Sequence, residues 1–91
     1  MKRLHALTRS GTTFGMEVDG VKARRVINSA KYQEVMSPSG TSRKRLCIPS
    51  NQLATLMREA AWLVTEKQDF VEVSFDEDPY RYTVIYPEVA A

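Results

Sequence analysis

The sequence predicts an α+β fold, an antiparallel sheet packed on one amphipathic helix in the order β-β-β-β-α-β-β. Three observations predict it. Before Pro49 the apolar residues recur mainly at every second position, the period of a strand with one buried face. Leu53, Leu56, Met57, Ala60, Leu63 and Val64 then follow the i, i+3, i+4, i+7 pattern of a helix. From Phe70 onward the period returns to two.

Leu4, Ala6 and Thr8 alternate with His5, Leu7 and Arg9, which predicts a first strand over residues 3–9. Ser10-Gly11 reads as a turn, and Phe14, Met16 and Val18 mark a second strand over 12–18. Asp19-Gly20 between Val18 and Val21 has the chemistry of a tight hairpin, whose central residues need positive φ. A long third strand is expected over 21–36, with a bend, bulge or break where Arg24-Arg25 and Asn28-Ser29-Ala30 interrupt the alternation. A loop at 37–40 closes it.

The fourth strand, 42–48, places Lys44, Leu46 and Ile48 on one face and Arg43, Arg45 and Cys47 on the other. Pro49-Ser50-Asn51 is a helix entry with Ser50 or Asn51 as N-cap, and the helix runs over 51–66. At about 100° per residue, Trp62 falls opposite Leu53. A hairpin over 70–86, turning at Asp76-Glu77-Asp78-Pro79, ends the predicted elements.

A chain of 91 residues has room for one domain with a modest core, and dimerisation would supplement it. Hydrophobic content of 43% is too high for a disordered chain. No apolar run reaches the ~18 residues of a membrane span, and the first ten residues lack a signal-peptide core. One cysteine, Cys47, excludes an internal disulfide and points to a reducing compartment, so the cytoplasm is expected.

The residues argue against chemistry. His5 is the sole histidine and has no evident partner for acid–base work. Cys47 beside Arg43 and Arg45 would be favoured as a thiolate, but a half-buried strand cysteine is the simpler reading. Asp76, Glu77 and Asp78 match no ion-binding loop and read as a solvated turn. No catalytic residue, metal site or cofactor is therefore expected.

Charge carries more information. Residues 1–50 hold ten Lys/Arg against three Asp/Glu, and residues 51–91 hold three against eight. Such segregation has two readings: the basic half meets a polyanion, or the two halves complement each other within the fold. Lys22, Arg24, Arg25 and Lys31 on the third strand and Arg43, Lys44 and Arg45 on the fourth would form one electropositive stripe. Tyr32 among them offers a stacking ring, whereas Phe14 alternates with Met16 and Val18 as a core residue would. Cations mixed with rings on a sheet suit single-stranded DNA or RNA.

Residues 31–56 add a resemblance. Tyr32, a polar Gly-containing loop, Arg43-Lys44, the strand through Leu46 and Ile48, Pro49, and Gln52, Leu53 and Leu56 together resemble the transcriptional coactivator family called positive cofactor four. Four strands followed by a helix is also the unit of the whirly and Pur-type single-strand binders. The resemblance implies a homodimer that holds single strands or melted duplex on a curved sheet, in a transcription or replication accessory role. It implies Arg43, Lys44 and the bases of the third segment as contacts.

Trp62 supports the competing expectation. A tryptophan off the core face must be covered by the C-terminal hairpin, a second subunit or a protein partner. With the acidic half, it would suit a small inhibitory module docking on a polymerase or nuclease.

Overall fold

The computed structural model describes residues 2–36, 39–67 and 69–86. Its elements are β1 (Lys2–Thr8), β2 (Thr13–Val18), α1 (Gly20–Ser29), β3 (Lys31–Met36), β4 (Ser42–Pro49), α2 (Ser50–Met57), a 3-10 turn (Arg58–Ala60), α3 (Ala61–Thr65), β5 (Phe70–Phe75) and β6 (Arg81–Ile85). The fold is α+β, but the order β-β-β-β-α-β-β is corrected: a helix also lies between the second and third strands. Of the loop expected at 37–40, Ser37 and Pro38 lie outside the described residues.

The expected strand over 21–36 is a helix followed by a strand. Asp19 accepts hydrogen bonds from the N–H groups of Val21 (2.8 Å) and Lys22 (3.1 Å), so it is an N-cap and no hairpin forms. Gly20 accordingly needs no positive φ. Ala23 and Val26 bury one face of α1, and Ile27 and Ala30 pack beside them. Helical spacing in this segment thus overrides the β-branched residues that suggest a strand. The break expected near Asn28-Ser29-Ala30 is the end of α1, where Ala30 turns extended (ψ 139°).

The helix expected over 51–66 is interrupted. Arg58 adopts φ 40°, ψ −95°, which ends α2 and redirects the chain into α3. Neither Ser50 nor Asn51 caps α2: β4 runs straight into it, Pro49 is the cap residue, and Ser50 is buried within the first turn.

The six strands form one sheet, ordered β2-β1-β5-β6-β4-β3. It is mixed rather than purely antiparallel, because β4 and β6 run parallel with Cys47 opposite Thr83, Ile48 opposite Val84 and Pro49 opposite Ile85. The helical crossover after β4 causes this. It carries the chain over the sheet to β5, which pairs with β1, and the β5–β6 hairpin then returns alongside β4 in the same direction.

All three helices cover one face. The core joins Leu4, Val18, Ile48, Phe70, Val73, Phe75, Tyr82 and Val84 of the strands to Ala23, Val26, Leu53, Leu56, Met57 and Val64 of the helices. Each fully buried aliphatic or aromatic side chain here contributes about 1.5–3 kcal/mol. Because side chains alternate, the helices leave the opposite face of the sheet open.

Candidate nucleic-acid interface

The strand registers write out the open face row by row. One row crosses Lys31, Cys47, Thr83, Glu72, Leu7 and Thr13. Two residues along each strand, Gln33 pairs Arg45, Ser74 pairs both Arg81 and His5, and His5 pairs Gly15. At the far ends, Val35 pairs Arg43, and Arg3 pairs Glu17. The described strand residues of this face therefore bring Arg3, Lys31, Arg43, Arg45 and Arg81 together, against Glu17 and Glu72.

Local contacts orient these groups. The Arg3 guanidinium lies across β2 where Gly15 has no side chain; a Cβ there would stand 2.8 Å from Arg3 Nη2. His5 Nε2 lies 2.7 Å from Asp76 Oδ1, so the acidic turn is anchored to the edge of the face. Asp78 turns away, accepting from the Tyr82 hydroxyl at 2.6 Å and the Tyr80 N–H at 3.1 Å. Arg81 Nη1 reaches Glu72 Oε1 only at 3.8 Å, a loose exposed pair that leaves the guanidinium free to meet another anion. Burial pushes the Cys47 thiol above its ordinary pKa and its Sγ donates to the Arg45 carbonyl oxygen at 3.1 Å, so at neutral pH it remains a thiol.

Beyond the β4–β6 pairing, residues 42–46 of β4 pair only with β3, so the two strands continue as an arm. Two depressions flank it. A cleft of about 410 Å³ has Val35, Met36, Arg43 and Arg45 of the arm on one side and Val71, Glu72, Thr83 and Tyr86 on the other, with Arg9 at its margin. A notch of about 350 Å³ lies between the arm and the start of β6, lined by Tyr32, Lys44, Arg45, Leu46, Tyr80, Arg81 and Thr83, with Glu72 also at its wall. Tyr32 is 67% exposed and Tyr80 56% exposed. Exposed rings this size, with cations beside them, are suited to stacking on bases and holding phosphates.

The expected stripe is thus divided. Lys31, Arg43 and Arg45 share the open face, and Tyr32 and Lys44 stand at the notch. Lys22, Arg24 and Arg25 do not join them, because they ride on α1 in the helical layer. Arg24 there borders Lys2 and Glu77 rather than the arm. Phe14 is on the helix-covered side of the sheet, its ring 5.6 Å from that of Phe70. Arg3, Arg9, Tyr80 and Arg81 are the members that sequence reading missed. The period-two pattern of Tyr80 to Tyr86 put Arg81 on one face, but only the strand order shows that the face is the basic one.

Trp62 is 50% exposed on α3, and its ring carries the Lys67 ammonium 5.6 Å from the centroid. It lies in the helical layer, away from the open face. Among the described residues no three His, Cys, Asp or Glu groups are placed to hold a metal ion, and no helix is long and apolar enough to cross a membrane. No protein-family model, curated protein or solved structure matches the chain.

Proposed function

We propose that the chain binds single-stranded DNA or RNA across the open face and the notch beside the β3–β4 arm. The observation that carries this is the gathering of Arg3, Lys31, Arg43, Arg45 and Arg81 from four strands onto the one face that no helix covers. Phosphates are drawn to such a surface by Coulomb attraction and by release of their counterions. Tyr32 and Tyr80 add stacking surfaces that accept any base, which favours a strand whose bases are unpaired. Although α1 interrupts the four-strand unit of the positive cofactor four family, the pattern of residues 31–56 that resembles it supports the same reading, and with it an accessory role in transcription or replication as a homodimer.

The test is fluorescence anisotropy with matched single-stranded and duplex oligonucleotides at low salt. Tighter binding to the single strand supports the proposal. Equal or tighter binding to duplex, or no binding to either, contradicts it.

Trp62 favours a second reading, that the helical layer docks a protein or a second copy, because half of its surface stays exposed. The open face lies on the side of the sheet opposite Trp62, so Trp62→Ala separates the two readings: it should lower self-association or partner binding and leave oligonucleotide binding intact.

A further inference from the structure

A carboxylate in the middle of a basic face opposes the binding of phosphates, so the position of Glu72 calls for a different role. Glu72 sits in the central row of the open face and lines the 410 Å³ cleft, a volume within the roughly 300–1,000 Å³ range of small-ligand sites. Val35 and Val71 give the cleft apolar walls, while Arg43 and Arg45 bring guanidinium groups to it. The Tyr86 hydroxyl, which also borders it, is committed to the backbone of Phe70. Among the described residues the Glu72 carboxylate accepts no hydrogen bond, and its one ion pair is the 3.8 Å approach of Arg81. The cleft therefore offers an apolar slot, cations for flanking phosphates and one unused acceptor pair.

Resting on the nucleic-acid reading above, we propose that this cleft receives one unstacked base and that Glu72 selects for guanine. A carboxylate presents two acceptor oxygens and no donor. The Watson–Crick edge of guanine presents two adjacent donors, N1–H and the amino group, which match it as a pair of parallel hydrogen bonds. Cytosine and adenine offer one amino group each. Thymine and uracil offer a single N3–H between two carbonyl oxygens, which the carboxylate repels. Recognition of splayed bases on this edge is the usual route to sequence preference on single strands.

The test compares a 12-mer of thymidine with the same strand carrying one central guanosine, by anisotropy, for the wild type and Glu72→Gln. Thermal melts confirm that both proteins are folded. The wild type should hold the guanosine-containing strand about tenfold more tightly, the size of one good base-edge contact. Glu72→Gln should abolish that preference and bind the all-thymidine strand at least as well as the wild type does, since a repulsive charge is gone. Equal wild-type affinity for the two strands, or a preference that survives Glu72→Gln, overturns the base-selecting cleft and leaves the open-face proposal standing. Absence of binding to both strands overturns the two together.

Discussion

The phenol of Tyr86 holds the backbone of Phe70 at both of its polar groups, donating to the carbonyl oxygen at 3.1 Å and accepting from the N–H at 3.2 Å. Phe70 opens β5 where the β1–β5 register slips, between Leu7 opposite Glu72 and Thr8 opposite Phe70. Val71 is the extra residue of that bulge, and it forms part of the cleft wall. The clamp thus ties the end of β6 to the irregularity that shapes the cleft.

Removing the hydroxyl leaves both Phe70 groups short of a partner in a half-buried setting. Tyr86→Phe should cost about 1–3 kcal/mol. Urea denaturation measures it, and an unchanged midpoint would show that the clamp is incidental.

Tyr82 should govern stability at alkaline pH. Burial, and then the hydrogen bond to Asp78, raise its pKa above the ordinary value of 10.0. A raised folded-state pKa means that the unfolded chain loses its proton first. The contribution is therefore complete below pH 10.0 and is lost as pH climbs from there toward the folded-state value. Tyr82→Phe should be less stable at neutral pH by about 1–2 kcal/mol, the worth of the bond to Asp78. Above pH 10.0 it should lose stability less steeply than the wild type, and parallel pH profiles would refute this.

Asp19 separates the helix from the hairpin that its sequence suggests. The N–H groups of Lys22 and Val21 hold its carboxyl below the ordinary value of 3.8, so its stabilising effect is present above that pH and fades as pH falls below it. Asp19→Ala should lower the melting temperature at neutral pH, while Asp19→Asn, a capable N-cap, should lower it less. A type I′ turn would make the opposite demand, on Gly20, whose replacement by Ala would then be the damaging change.

Much of the sheet was legible because its signal is local. The alternation of Leu4 to Thr8, Arg43 to Ile48 and Glu72 to Phe75 assigns each side chain to a face without knowledge of the neighbours, whereas Val71 leaves the pattern at the bulge. The segment after Val18 was not, since Asp19-Gly20 serves an N-cap as well as a turn, and Val21, Val26 and Ile27 weigh toward a strand. The parallel β4–β6 pair depends on where the crossover lands, which no local pattern records. The site divides in the same way. Arg43, Lys44 and Arg45 are adjacent in sequence and visible there, whereas Arg3 and Arg81 are single cations that the sheet order alone brings to the same face.

Tyr32 and Tyr80 should act as stacking surfaces rather than as sources of charge. Each replaced by Ala should lose about 1–3 kcal/mol of single-strand affinity, with little change in salt dependence. Anisotropy titrations at several salt concentrations report both quantities; a loss that disappears at high salt would assign the effect to neighbouring cations instead.

The central claim, that the open face and not the α1 cations meets the phosphates, is tested most directly by the salt slope of single-strand binding. Each phosphate contact contributes roughly 0.7 to the slope of log affinity against log salt. Arg45→Ala combined with Arg81→Ala should therefore reduce the slope by roughly 1.4 if each residue meets one phosphate. Arg24→Ala combined with Arg25→Ala, an equal loss of charge on α1, should leave it unchanged. A slope that falls with the α1 pair and holds with the open-face pair would contradict the account.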